Sequence, residues 1–513
     1  MNLSFPQGLL SLSELLDGVT QVAPDQDRPI LDLCLDSRRA IPGSLFCALA
    51  GSRAHGMEFA GRAKEQGAVA VLAEPDSTWD EPRLRECRER LGLPVLAVPH
   101  LGSRLSGLAG RFFGNPSQGL DLIGVTGTNG KTSVSQFAAQ ALDPECPCGI
   151  VGTLGYGFPG RLTETGYTTP DAVGLQAMLV DLKARGARAV AMEISSHALD
   201  QGRAAGVKLD SAIFTNLTRD HLDYHGDMAS YGRAKARLFQ LPGLRHGICN
   251  ADDPFGLTLL ASLPPGVEPI LYGLTPAACQ VRPEVRWLRA EVIETLPRGI
   301  RARVAGSWGE GELTSGLLGQ FNLGNLLAVL AVLLTRGWEL APALARLGQV
   351  QGVSGRMECF GTSGQPLVVV DYAHTPDALE QALGVLRAHA PGRLICLFGC
   401  GGDRDRGKRP MMGASAERLS DLVILTDDNP RREDGSQIVA DILAGVARPN
   451  QVLVERDRAT AIQRAIELAE PGDTLLVAGK GHETTQTTGT QVLPFRDQDQ
   501  VVKALATWTG ASS

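Results

Sequence analysis

Short apolar runs separated by polar, turn-forming residues recur along the whole chain. Between residue 28 and about residue 115 the runs ILDLCLDS, SLFCALAG, AVAVLAE and LPVLAVP alternate with patterns such as MEFAGRAKEQG. The runs have strand length and the spacer has helical spacing, which predicts a small α/β unit. A boundary falls near Asn115-Pro116-Ser117. The next stretch opens on the buried-strand run DLIGVT and carries further strands at RAVAMEIS and SAIFTNL. It ends with the helix NLGNLLAVLAVLL ahead of Gly352-Val353-Ser354-Gly355. In the last stretch LVVVDYA, RLICLFGC, DLVILTD, QVLVE and DTLLVAG alternate with TPDALEQALGVLRAHA and RATAIQRAIELA. That order implies a mostly parallel sheet with right-handed crossovers, Rossmann-like, with ligands at the strand carboxyl ends. The expectation is an α/β chain of three domains: a small N-terminal unit over 1–117, a central parallel-sheet domain over 118–352 and a C-terminal Rossmann-like domain over 353–513.

Length supports the division, because 513 residues exceed what one hydrophobic core usually holds. Hydrophobic residues make up 43% and charged residues 20%, the mixture of a globular protein rather than a disordered one. The net charge of -7 excludes a nucleic-acid binder that works by neutralising phosphates over a broad basic face, so anionic ligands must be met locally. The opening MNLSFPQGLLSLSELL has neither a basic leader nor a long apolar run, so no membrane span and a cytoplasmic location are expected. Ten cysteines lack a disulfide or zinc spacing, since the close pairs Cys146/Cys148 and Cys396/Cys400 have no second pair. Reduced, mostly buried thiols are expected.

The chemistry begins at Gly124-Val125-Thr126-Gly127-Thr128-Asn129-Gly130-Lys131-Thr132-Ser133, between an apolar strand and the helical run VSQFAAQAL. Strand, glycine loop and helix form a phosphate-binding context: backbone N–H groups and the helix dipole face the anion, Lys131 adds charge, and Thr132 can ligate Mg²⁺. The loop departs from the general pattern, with Val125 five positions before Gly130 and its first loop glycine at Gly127. Nucleotide binding alone does not choose a reaction, because motors, switches and kinases share the loop. Two later strands end in Glu193-Ile194-Ser195-Ser196-His197 and Thr218-Arg219-Asp220-His221-Leu222-Asp223-Tyr224-His225. Both clusters belong at the same rim, where Glu193 and His221 can hold a divalent cation, or can serve merely as capping or solvated groups.

The segments GTNGKTS, EISSHALDQGR, FTNLTRDHLDYHGDMASYGRAKARLF, GQFNLGN, GRME, DYAHTPD, FGCGGDRDRGKRP, DDNPRRED and GKGHET follow one another across residues 35 to 483. Together they resemble the Mur ligases of the MurE type. The resemblance implies an ATP-dependent ligase: a substrate carboxylate takes the γ-phosphoryl group and the acyl phosphate is captured by an amine, here joining a diamino acid to UDP-N-acetylmuramoyl-L-alanyl-D-glutamate. It implies that Gly127, Thr128, Asn129, Gly130, Lys131, Thr132 and Ser133 hold ATP, with Mg²⁺ on Thr132 and Glu193 and a second Mg²⁺ on Glu193, His221 and a carbamylated Lys235. Read without the family, Lys235 in YGRAKARLF is an exposed lysine.

The same resemblance gives Asn322, Arg356, Asp371 and His374 to the nucleotide, although Asn322 also reads as a helix N-cap. It gives Leu35, Ser37, Ser52, Arg53 and Ala54 to the UDP moiety, and Thr168, Thr169, Ser195, Gln201 and Arg203 to the muramoyl-dipeptide, with Tyr167 where an asparagine is often seen. Arg404, Asp428, Asn429, Pro430, Arg431, Gly479 and Glu483 fall to meso-diaminopimelate. Arg431 would pair the distal carboxylate that lysine lacks, and Glu483 the distal ammonium; the alternative is a solvated loop arginine beside Arg432. The expected partners are small molecules only, acted on by a monomer. Other readings are the lysine-adding form, folylpolyglutamate synthase, and a nucleotide-binding paralogue without chemistry.

Overall fold

The computed structural model describes residues 10–51, 54–143, 145–280 and 284–509. It separates into two compact units, one running to Leu288 and including Ala331–Gly337, the other holding Arg289–Leu330 and the chain from Trp338 onward.

In the first unit the early apolar runs form a four-stranded parallel sheet of Asp32–Cys34, Ser44–Ala48, Ala70–Ala73 and Val95–Ala97. Ser44–Ala48 and Ala70–Ala73 are buried throughout, as expected of strands covered on both faces. The segment MEFAGRAKEQG is helical but broken, a 3₁₀ turn Gly56–Phe59 leading into the helix Ala60–Glu65. The expected boundary at 117 falls in the 3₁₀ turn Pro116–Gly119.

A second sheet of this unit orders its strands Arg161–Thr163, Gly155–Phe158, Cys148–Gly152, Ala189–Glu193, Asp121–Thr126, Ser211–Phe214, His246–Asn250 and Glu268–Gly273. From Cys148–Gly152 to Glu268–Gly273 the pairing is parallel. One rim therefore collects the carboxyl ends of Asp121–Thr126, Ala189–Glu193 and Ser211–Phe214, and the helix Lys131–Leu142 starts there.

All five apolar runs of the last stretch are strands in the second unit. Its sheet runs Glu358–Phe360, Leu367–Asp371, Thr474–Ala478, Leu394–Phe398, Leu422–Leu425 and Leu453–Val454, parallel apart from the first pair. The last of the parallel strands in sequence inserts between the first two, so the loops after Asp371, Phe398, Leu425 and Ala478 share one rim. A hairpin of Thr485–Thr488 and Gln491–Pro494 follows. No helix among the described residues is long and apolar enough to cross a membrane. The ten cysteines are free, and seven are buried.

Candidate active site

The phosphate loop is shaped by contacts with the neighbouring strand end. A Cβ at Gly127 would collide with the Thr215 hydroxyl, so only glycine passes there. Thr215 Oγ1 donates to the Asn129 carbonyl at 2.5 Å, and Asn129 N donates to Asn216 Oδ1 at 2.9 Å. Gly130, at φ 85°, turns the chain into the helix Lys131–Leu142, directing the first helical N–H groups at the loop. Lys131 Nζ donates to the carbonyls of Gly127 and Thr128, both at 2.9 Å, which curls the ammonium back over the loop.

Glu193, 1% exposed, is the buried acceptor at this rim. Thr132 Oγ1 donates to its Oε2 at 2.9 Å, Thr153 Oγ1 to the same oxygen at 3.0 Å, and Thr153 N to Oε1 at 2.8 Å. Burial still raises its pKa, against the opposing Lys131 charge and these hydrogen bonds. Thr153 was not legible in the sequence; its signal is its place just past the strand Cys148–Gly152, at the same rim.

Lys235 corrects the residue-only reading, because it is 1% exposed rather than solvated. Burial, followed by the Lys131 charge, lowers its pKa to about 6, and Nζ sits 4.2 Å from the Tyr231 ring centroid. The His221 ring lies 6.0 Å from the same tyrosine, and its backbone is left-handed at φ 53°. Thr132 and Glu193 are thus in direct contact. Lys235 and His221 meet instead around Tyr231, with no hydrogen bond or ion pair to Glu193 among the described residues. Nor do three His, Cys, Asp or Glu side chains there gather as a metal group. Thr132 and Glu193 nevertheless offer oxygen donors with a charge left under-compensated, the chemistry that suits Mg²⁺ shared with phosphate oxygens.

Beside Glu193 the expected dipeptide contacts come together. Thr169 Oγ1 donates to the Glu193 carbonyl at 2.9 Å and accepts from Ser195 N at 3.0 Å; Arg203 Nη1 donates to the Thr169 carbonyl at 3.0 Å and Nη2 to Gln201 Oε1 at 2.6 Å. Thr168 Oγ1 is 3.0 Å from Thr153 Oγ1, and Tyr167 is 57% exposed. Ser37 is buried at the start of the 3₁₀ turn Ser37–Arg39, with Leu35 half-buried just before it. Ser52 and Arg53 lie outside the described residues, between Gly51 and Ala54.

In the second unit Asn322 is buried, and its Nδ2 donates to the Leu318 carbonyl at 2.9 Å. It is not the N-cap, because the helix Gln320–Thr335 has already begun at Gln320. Asp371 accepts from Met357 N at 2.8 Å and Ala373 N at 2.9 Å; burial raises its pKa despite these bonds and the Arg356 charge. The Arg356 guanidinium stacks 5.0 Å from the Tyr372 ring centroid, and His374 packs on the same ring at 4.5 Å.

Arg404 and Arg431 converge over Gly401, where an added Cβ would sit 3.0 Å from Arg431 Nη1 and 3.7 Å from Arg404 Cγ. Arg431 is held at φ 53°: its N–H donates to the Thr487 carbonyl at 3.0 Å, its carbonyl accepts from Gly489 N at 2.6 Å, and Nη1 donates to the Gly402 carbonyl at 2.8 Å. It is no freely solvated arginine. Pro430 is buried beside it, and Gly479, at φ 115°, leaves the space that Asp428 Oδ2 occupies.

Glu483 accepts from Lys480 Nζ at 2.9 Å and Asn429 Nδ2 at 2.8 Å. Burial pushes its carboxyl up, but these bonds outweigh it and hold the pKa below the ordinary value. Behind them the fully buried Arg458 pairs with Asp497 at 2.7 Å. Lys480, Arg458 and Asp497 were missed in the sequence. Lys480 stands inside the GKGHET motif, whereas the other two carry no local signal.

A phosphate loop with an adjoining buried carboxylate, and a Rossmann-like sheet presenting arginines beside a carboxylate, are the parts of an ATP-dependent, ADP-forming amino-acid ligase. Family models match in the same sense: Mur ligase family, catalytic domain, over residues 30–113; Mur ligase middle domain over 125–333; and Mur ligase, glutamate ligase domain, over 355–481. The chain belongs to the Mur ligase family and has its three-domain α/β fold. Among curated relatives, UDP-N-acetylmuramoyl-L-alanyl-D-glutamate--2,6-diaminopimelate ligase of Alkalilimnicola ehrlichii is 49% identical over 505 residues, 98% of this chain and 100% of that protein. The protein of the same description from Pseudomonas aeruginosa is 50% identical over 493 residues, 96% of this chain and 98% of its own. A solved structure so described superposes with a TM-score of 0.74 at 34% identity, covering 97% of this chain and 99% of its own. MurF from Acinetobacter baumannii, at 18% identity and a TM-score of 0.58 over 97% of this chain and 100% of its own, shares the fold.

Proposed function

We propose that this protein adds meso-2,6-diaminopimelate to UDP-N-acetylmuramoyl-L-alanyl-D-glutamate with consumption of ATP, a cytoplasmic step of peptidoglycan precursor synthesis. The observation that carries the reading is relatives of that description at about half identity over nearly the whole chain, 98% in one case. The convergence of Arg404 and Arg431 near the Asn429–Glu483 pair supports it. The reaction is divided among segments 1–117, 118–352 and 353–513, taking the UDP moiety, ATP and the amino acid in turn.

A carboxylate is a poor electrophile, so the glutamate carboxylate first takes the γ-phosphoryl of ATP, and the diaminopimelate amine displaces phosphate from the acyl phosphate. Lys131 and the loop N–H groups hold the β- and γ-phosphates, while Asn322, Arg356, Asp371 and His374 serve the nucleotide. Thr132 and Glu193 would hold Mg²⁺, which supplies charge neutralisation at the transferring phosphoryl, and His221 and Lys235 would support a second ion. A buried amine with a pKa near 6 is neutral at pH 7, the form that reacts with CO₂, so Lys235 is suited to carry a carbamate. Thr168, Thr169, Ser195, Gln201 and Arg203 orient the dipeptide. Arg404 and Arg431 receive the distal carboxylate, and Asp428, Asn429 and Glu483 the distal ammonium.

Incubation with ATP, Mg²⁺, the UDP-muramoyl-dipeptide and either meso-diaminopimelate or L-lysine, read by product mass, tests this. The diaminopimelate adduct is expected. Comparable kcat/KM for the two amino acids would sink the assignment.

A further inference from the structure

Four buried side-chain atoms without a hydrogen-bond partner among the described residues gather in one place: Asp121 Oδ1, Ser211 Oγ, His246 Nδ1 and Arg336 Nη2. They line a cavity of about 340 Å³ in the first unit, which Arg245 also borders. Asp121, Ser211 and His246 each begin a strand, and those three parallel strands are neighbours, with Ser211 in register with His246. The cavity therefore sits at the amino ends of the strands, opposite the rim that carries the phosphate loop. A buried polar atom without a partner is costly, so four around one void call for polar partners inside it.

The pairings leave a definite set of free groups. Arg336 donates from Nε to Asp121 Oδ2 at 2.7 Å and from Nη1 to the Val332 carbonyl at 3.1 Å, leaving Nη2 facing the void. Arg245 Nη2 is 3.0 Å from Asp210 Oδ1 and 3.8 Å from Asp121 Oδ1. His246 Nε2 lies 3.6 Å from a carboxylate oxygen of Glu268, whose other oxygen is 2.8 Å from Arg286. That carboxylate favours the proton on Nε2 and makes Nδ1 an acceptor. The void thus offers two donors, Arg336 Nη2 and the fully buried Ser211 Oγ, and two acceptors, Asp121 Oδ1 and His246 Nδ1.

A simple anion would leave the acceptors unmet, and a simple cation the donors. The volume is at the small end of ligand pockets, which run from roughly 300 to 1,000 Å³, and suits a small guest. We propose that this cavity binds a free α-amino acid, with its carboxylate on Arg336 Nη2 and Ser211 Oγ and its ammonium on Asp121 Oδ1 and His246 Nδ1. The site is separate from the ligase chemistry and does not depend on the proposed reaction.

Calorimetric titration of the full chain with L-alanine, beside acetate and ethylamine as single-charge probes, tests it. Saturable binding of L-alanine, at least tenfold tighter than either probe, is expected. Ser211→Val, which intrudes on the void, and His246→Phe, which removes an acceptor, should each weaken it at least fivefold while ligase turnover stays unchanged. If one variant fails to fold, the other carries the comparison. Absence of saturable binding, binding unaffected by the folded variants, acetate or ethylamine matching L-alanine, or a soaked crystal with water only in the cavity would each overturn the proposal.

Discussion

The rim around Glu193 and the rim around Glu483 both set a carboxylate near a lysine, one buried and one half-buried, and they treat its charge in opposite ways. At the first, burial dominates: Glu193 is pushed up and Lys235 down to about 6, so each resists its charged form. At the second, burial pushes Asp428 up as well, but Lys480 and Asn429 hold the half-buried Glu483 below its ordinary value, and Arg458 is closed off by Asp497. Protein groups hold Glu483 in its charged form, whereas the first rim is left electrically open. Chemistry on phosphates brings its own cations and anions, so a site left open binds them with the protein's field aimed at the incoming charge. Recognition of an amino acid asks instead for fixed geometry, which paired side chains supply.

The largest test of this contrast is Lys131→Ala, which should lower turnover by roughly a thousandfold or more with binding of the UDP-substrate retained, measured by phosphate release and calorimetry. Arg431→Ala comes next: kcat/KM for meso-diaminopimelate should fall roughly a hundredfold, with the value for L-lysine little changed. For Lys235→Ala a loss of roughly 10–100-fold is expected, partly restored by added acetate; wild-type activity would remove the residue from the mechanism. Lys480→Met should raise KM for the diamino acid about tenfold with a smaller change in kcat, because it frees Glu483 rather than touching the phosphates. Equal effects on both constants would show that Lys480 is not confined to recognition.

The smallest effect is on stability. The folded pKa of Lys235, about 6, lies below its ordinary 10.5. Between those values the unfolded chain binds more protons, so this residue makes stability rise with pH, and below pH 6 its contribution levels off. In bicarbonate-free buffer the melting temperature of the wild type should therefore climb relative to Lys235→Met between pH 6.5 and 8.5, by about a few degrees. Parallel curves would show that the amine is not held neutral.

What the sequence disclosed was whatever announces itself locally. Fully apolar runs such as LVVVD and LICLF are strands because both faces of a parallel sheet are covered. The phosphate loop shows in its glycines. Lys235 was illegible without the family because the helix Met228–Ala236 is tucked in by contacts from afar; Gly232 abuts Phe255 and Leu217 so closely that a Cβ would meet the Phe255 ring at 2.8 Å. The Arg458–Asp497 pair joins residues 39 apart, and neither stands in a motif. Likewise, Asn322 reads as a cap only until the helix is seen to begin two residues sooner.

The hairpin after Glu483 does more than lead the chain into the helix Asp497–Thr507. Gln486 Nε2 donates to the Asp428 carbonyl at 2.8 Å, Thr487 N to Asn429 Oδ1 at 2.9 Å, and residues 487 and 489 clasp the Arg431 backbone. On the proposed reading, selectivity is thereby inherited as a module of two separated pieces of gene. Transplanting the DNPR segment alone into a lysine-adding relative would carry over the letters without the mould that shapes them, and drift in the hairpin could retune substrate choice while every residue facing the amino acid stayed the same.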